Sequence, residues 1–221
     1  MPRPHEDLER HVPTDHRPGG VPVAFALGAW CAIDIAHMKA DRVDAGISTY
    51  ETLIEKARTS STGPRRAAVL RSVNGRRVIA LVEIEGHDAF RHLRSAWDDH
   101  HLHASRHAVA ESSSLALYRL AASAGDASLD PESTDAYAFE HVTRGPEHAR
   151  AFITVVTAAA GFRGALVFGS DDASASAIIY RFRHAAEFDA FREGAAALQV
   201  LSPVGASGES ASPVRPIKTF G

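Results

Sequence analysis

The side chains with most chemistry to offer fall in one stretch and on one strand. Trp97-Asp98-Asp99-His100-His101-Leu102-His103 carries three of the chain's 13 histidines, with His92 before it and His107 after it. On a continuing helix His100, His103 and His107 share a face, and imidazoles so spaced converge on a divalent ion. The other reading is a polar helix end whose histidines sit in solvent and favour the C-terminal dipole. No HExxH-type signature accompanies the cluster, so no metal is assigned. His92 and His101 are the candidate bases, because a neutral imidazole of ordinary pKa, ~6.5, accepts a proton at neutral pH. The competing reading of His92 is a surface residue beside Phe90 and Leu93.

Asp34 is the candidate catalytic carboxylate. Val23 to Ile35 alternates Phe25, Leu27, Cys31, Ile33 and Ile35 against Ala26, Gly28, Trp30, Ala32 and Asp34. Period-two alternation marks a strand. The small-residue face is expected to leave volume for a ligand, with Trp30 as aromatic wall. A carboxylate turned inward there costs several kcal/mol unless a partner, water or ligand meets it. Trp30 and Trp97 would stack on a flat substrate, or serve only as core. Tyr180 and Arg181 could clamp an enolate or phenolate, Arg181 being otherwise a strand-edge cation. Glu140 and His141 raise the same question. Cys31 reads as packed, not nucleophilic.

The elements that must position these groups follow from periodicity and turn chemistry. Asp41 precedes a helix with Val43, Ile47, Tyr50 and Ile54 on one face. Ala67–Val73 and Arg76–Ile84 flank Asn74-Gly75, a hairpin signal because both residues tolerate positive φ. A second helix carries Phe90, Leu93 and Trp97, and Leu115–Leu120 alternates as a strand. Residues 121–132 are rich in Ala, Ser, Gly and Asp and read as a linker. The pattern then restarts: strand Tyr137–Val142, a helix opened by Pro146 and ended by Gly161, hairpin strands Arg163–Gly169 and Ala175–Phe182, a helix with Phe188, Phe191 and Leu198, and a strand over Val214–Phe220. Asp88-Ala89-Phe90-Arg91 and Asp189-Ala190-Phe191-Arg192 repeat literally.

The predicted fold is α+β: two tandem ferredoxin-like β-α-β-β-α-β units, residues 23–120 and 133–221, packed sheet to sheet as an intramolecular dimeric α/β barrel. Residues 1–22, with five prolines, form an extended arm. The 24 Lys and Arg against 27 Asp and Glu leave no basic footprint for nucleic acid. No apolar run of ~18 residues predicts a membrane span. One cysteine and a polar N-terminus without a signal-like apolar core point to the cytoplasm. Gly-rich phosphate loops and the Gly-x-Ser-x-Gly elbow are absent.

The stretch Val82-Glu83-Ile84-Glu85-Gly86-His87-Asp88-Ala89-Phe90-Arg91-His92-Leu93-Arg94-Ser95 resembles the antibiotic biosynthesis monooxygenase group. There a strand ending in an acidic residue precedes a helix with a His-Leu-x-Ser element, matched by His92, Leu93 and Ser95. In the second half Phe191-Arg192-Glu193-Gly194 stands in its place. The resemblance implies a dimeric α/β-barrel oxygenase of secondary metabolism. Its substrates would be an aromatic, polyketide-type phenol or hydroquinone and O₂, activated by the deprotonated substrate with no cofactor and no metal. Reduced flavin assistance, heme binding, and a non-oxidative cyclase or binding module for a reactive intermediate are the alternatives within the same superfamily. A homodimer is the remaining partner left open.

Overall fold

The computed structural model describes residues 19–59, 65–98, 106–194 and 209–221. The first half comprises β1 (Trp30–Met38), α1 (Val43–Arg58), β2 (Ala67–Ser72), β3 (Arg77–Ile84), α2 (His87–Trp97) and β4 (Ala110–Gly125). The second comprises β5 (Ala136–Val142), α3 (Pro146–Val156), β6 (Phe162–Ser170), β7 (Ser176–Phe182), α4 (Ala185–Glu193) and β8 (Glu209–Phe220). The eight strands close in the order β1-β3-β2-β8-β5-β7-β6-β4. Each half keeps the expected ferredoxin-like order, and β4 joins β6 while β2 joins β8. The two sheets therefore meet by hydrogen-bonded seams. Closure leaves no free sheet edge within the barrel. None of the described helices is long and apolar enough to cross a membrane.

The closed sheet separates two kinds of core. Its interior is filled by side chains such as Phe25, Cys31, Ile33, Ile79, Phe139 and Phe168. An eight-stranded barrel is just wide enough for side chains to fill it, so the bulkier strand faces turn inward. The outer faces carry the helices: Ile47, Tyr50 and Ile54 of α1 lie on Ala32, Ala36 and Ala80. This inverts the expected assignment of β1. Its small-residue face accommodates α1 and α2, and Cys31, Ile33 and Ile35 fill the barrel. Asp34 is fully buried, but beneath helices.

Other departures have local causes. Strand β1 begins at Trp30, since Gly28 (φ +83°) breaks the chain before it, although Phe25 still reaches the barrel interior. Strand β4 starts before Leu115 and absorbs residues 121–125 of the expected linker, because β6 offers them a ladder (Ala122 opposite Val167, Ser123 opposite Leu166). The Asp-Ala-Phe-Arg repeat is out of step with the elements: Asp88 is the second residue after the N-cap Gly86, and Asp189 the fifth after the N-cap His184. The three-residue slip is close to one helical turn, which keeps Phe90 and Phe191 on comparable faces. The Asn74-Gly75 hairpin forms as expected, with Gly75 at φ +68°. Of the expected N-terminal arm, residues 1–18 lie outside the described residues.

Candidate functional site

Between the first half-sheet and its helices lies a polar group inside an apolar compartment. Asp34 points from β1 toward α1, whose apolar stripe brings Tyr50 over it. The Tyr50 hydroxyl donates to Asp34 Oδ2 at 2.8 Å. Trp97, at the last turn of α2, packs edge-on against Tyr50 with ring centroids 5.9 Å apart. Arg106, just before β4, brings Nη1 to 3.8 Å from Asp34 Oδ2. That is an ion pair too long to be a hydrogen bond.

The polar account of this group does not close. Among the described residues, the buried side-chain polar atoms without a hydrogen-bond partner are Asp34 Oδ1, Trp97 Nε1, Arg106 Nε and Arg106 Nη1. All four belong to these three side chains. Each orphaned group costs about 1–3 kcal/mol, and native interiors tolerate few of them. Three such side chains in one compartment, two of them charged types, form a constellation that a polar ligand or water would complete. Burial raises the Asp34 pKa above the ordinary carboxylate value, while Arg106, Tyr50 and the Ser114 amide oppose the rise. Burial and the neighbouring carboxylate raise Tyr50 well above its ordinary value, so it remains a neutral donor.

The second half holds the matching position in a different state. Asp34 pairs with Ala80 across the sheet, and Glu140 pairs with Ile178, 98 positions later. The helix N-caps Gly86 and His184 are separated by the same 98. Glu140 is therefore the counterpart of Asp34. It accepts from Tyr180 at 2.5 Å, and burial raises its pKa. Phe182 stacks among Phe162, Phe188 and Phe191 in this compartment. No buried polar side-chain atom of the described second half lacks a partner. One half keeps an open polar account, and the other is packed.

The remaining sequence candidates are dispersed. His92 is exposed on α2, since the inward positions are Leu93 and Trp97, so it does not reach Asp34. His101, with His100 and His103, lies outside the described residues. Tyr180 is consumed by Glu140. Arg181 clasps the segment before β5, donating to Asp135 at 2.6 Å, to Asp126 at 2.8 Å and to Ser128 Oγ at 2.9 Å. Its guanidinium is committed to the chain's own carboxylates. The expected clamp is an internal one. His141 lies 2.9 Å from the Tyr118 hydroxyl, and burial with the nearby Asp172 charge pushes Tyr118 up to about 12. Trp30 is half-buried at the edge of the compartment, packed against its apolar cluster and against His87 and Arg119. Tyr50 and Arg106 were not singled out by the sequence. Tyr50 was hidden in an apolar helix stripe, and nothing local marks Arg106.

No protein-family profile and no curated protein sequence matches the chain. Solved structures share its fold. An anthrone oxidase-like protein superposes with a TM-score of 0.69 at 10% identity, covering 90% of this chain and 95% of that one. A Fusobacterium nucleatum protein described as a candidate monooxygenase gives 0.58 at 10% identity, covering 89% and 96%. A monooxygenase-like protein of Listeria innocua gives 0.50 at 9%, covering 86% and 94%. The expected resemblance to antibiotic biosynthesis monooxygenase-like ferredoxin-fold proteins is thereby met as one of fold. At such identities the likeness reaches no further.

Proposed function

We propose that the chain is an oxygenase of flat phenolic or anthrone-type substrates, acting with O₂ and without a bound cofactor, in the compartment of Asp34, Tyr50, Trp97 and Arg106. The observation that carries the reading is the confinement, among the described residues, of the buried polar atoms without a hydrogen bond to Asp34, Trp97 and Arg106. The fold shared with an anthrone oxidase-like protein supports the substrate class.

The groups suit the three tasks of such a reaction. Asp34 takes the acidic proton of the substrate, and a carboxylate whose proton affinity is raised by burial is the better base. Arg106 holds the oxygen on which negative charge develops, with the Trp97 indole N–H as a further donor. Tyr50 fixes the carboxylate and does not touch the reacting atoms. Exclusion of water by α1 and α2 leaves the substrate anion electron-rich. That anion passes one electron to O₂, and the resulting radical pair joins at the ring carbon para to the oxygen. Loss of the remaining hydrogen on that carbon with O–O cleavage gives a carbonyl and water. One oxygen atom enters the product, the other leaves as water, and the substrate loses two hydrogens.

Oxygen uptake by the purified chain with anthrone tests this, measured above the spontaneous rate and in the presence of a chelator. The reading requires one O₂ per quinone formed, with no added flavin. No uptake above background, or uptake only with reduced flavin or heme supplied, overturns it.

A further inference from the structure

Outside this compartment, the seam where β4 joins β6 opens into a cleft of about 560 Å³. It runs between the start of β1, β4, the β6–β7 turn and the first turn of α3. Five features define its chemistry. Arg119 of β4 projects into it, with Nε donating to the Gly28 carbonyl at 3.1 Å and its guanidinium 5.4 Å from the Trp30 ring centroid. That bond and that ring fix the guanidinium plane, and among the described residues neither terminal nitrogen has a hydrogen-bonded acceptor. Arg150 of α3 lines the opposite wall, and among the described residues its ion-pair partner is the exposed Glu147. Asp171 is the one carboxylate among the lining residues, and His87 pairs with it at 3.0 Å. Leu27 forms an apolar lip and is 69% exposed, one of three large hydrophobics so exposed among the described residues.

The other seam provides an internal comparison. Where β8 joins β2, a cleft of about 580 Å³ is lined by β5, β8 and the end of β2. The 106-residue step from Asp34 to Glu140 carries Trp30 to Ala136 on β5. Arg119 lies opposite Trp30, as Arg215 lies beside Val214, the partner of Tyr137. The two clefts thus occupy equivalent places, each with an arginine on the fourth strand of its half. Only the β4–β6 cleft has an indole beneath its arginine, and Asp135 in the other is already bound to Arg181.

We propose that the β4–β6 seam cleft is a binding site for an organic monoanion with a flat apolar body, an aromatic carboxylate. Arg119 takes the carboxylate by its two free terminal nitrogens, the planar fork matching two oxygens. Arg150 adds charge from the facing wall. Leu27 and the exposed edge of Trp30 cover the ring system. An inorganic anion uses only the arginines and leaves the apolar lip in water, which is why an amphiphilic anion fits better. This site is independent of the proposed oxygenase reaction, since no residue is shared between the two.

The test is calorimetric titration of the full chain with 2-naphthoate and its neutral counterpart 2-naphthalenemethanol. Four variants accompany the wild type: Arg119→Gln, Arg119→Lys, Arg215→Gln and Asp34→Asn. The expected result is one saturable 2-naphthoate site, weakened about tenfold or more by Arg119→Gln. Arg119→Lys retains part of the affinity, and the alcohol binds at least about tenfold more weakly than the anion. Arg215→Gln and Asp34→Asn leave 2-naphthoate affinity unchanged. Arg119 is exposed, so its variants are expected to fold, which circular dichroism verifies. The proposal is overturned by absence of saturable binding, by unchanged affinity in Arg119→Gln, or by equal affinity for the alcohol. Loss of binding in Arg215→Gln instead assigns the probe to the other seam, and loss in Asp34→Asn to the compartment. Either result also overturns it.

Discussion

Replacing Tyr50 with Phe deletes one buried hydroxyl and keeps the ring that packs on Trp97. Asp34 then loses its 2.8 Å donor, and the nearest remaining cation stays 3.8 Å away. A hydrogen bond to a charged group contributes about 1.5–3 kcal/mol, and a domain of this size loses about 2–4 °C of Tm per kcal/mol. Tyr50→Phe should therefore melt about 3–12 °C below wild type at neutral pH. The bond also lowers the proton affinity of Asp34 against the pull of burial. Without it the carboxylate forms only at higher pH, so the acid limb of the pH–rate profile moves upward. Tyr180→Phe is the matched control, since it removes an equivalent bond to Glu140 in the packed half. It should lose comparable Tm without moving the profile. Calorimetry and initial rates of oxygen uptake across the acid-to-neutral range measure both effects. An unmoved profile in Tyr50→Phe, or a moved one in Tyr180→Phe, refutes the assignment of the working carboxylate.

Asp34→Asn should lower turnover by about 10²–10⁴-fold, the usual worth of a positioned base, whereas His92→Ala leaves it intact; steady-state rates with anthrone decide this, and the reverse pattern would restore the helix histidine. Glu140→Gln should raise Tm at neutral pH. Glu140 has a folded pKa above its unfolded value, so its burial costs nothing below the unfolded pKa, and the cost grows as pH rises through the folded pKa. The gain should shrink to nothing in acid, and a gain independent of pH would contradict the cause. Arg181→Ala should destabilise by about 1.5–3 kcal/mol in denaturant titration without altering turnover, because its partners are Asp135 and Asp126. Lost turnover at unchanged stability would instead make it a substrate clamp.

Element order and barrel closure were legible because their signals are local or repeated: Asn74-Gly75, Pro146, and helical stripes recurring in both halves. The β1 face was not legible. Both of its faces are apolar apart from Asp34 and the terminal His37, and a carboxylate among small residues suggests a cavity when the helix that covers it is unknown. The covering side chain is Tyr50, whose hydroxyl lies within a stripe of core residues. Strand β4 was read too short because Ser112-Ser113-Ser114 and Ala121-Ala122-Ser123 have little strand preference of their own, and the ladders with β1 and β6 impose it. Arg106 meets Asp34 across 72 positions of sequence, a contact that only the closed fold creates. The placement of His92 was not legible because its motif letters carry no information on helix phase, and Leu93 takes the inward position beside it.

The most direct test of the central assignment is a crystal structure with anthraquinone, the product of anthrone oxidation, bound. The account predicts the ring system between the first half-sheet and α2, with one carbonyl oxygen within hydrogen-bond distance of Arg106 or of Trp97 Nε1. Ligand found inside the barrel, or in the seam clefts with the Asp34 compartment unoccupied, would contradict it.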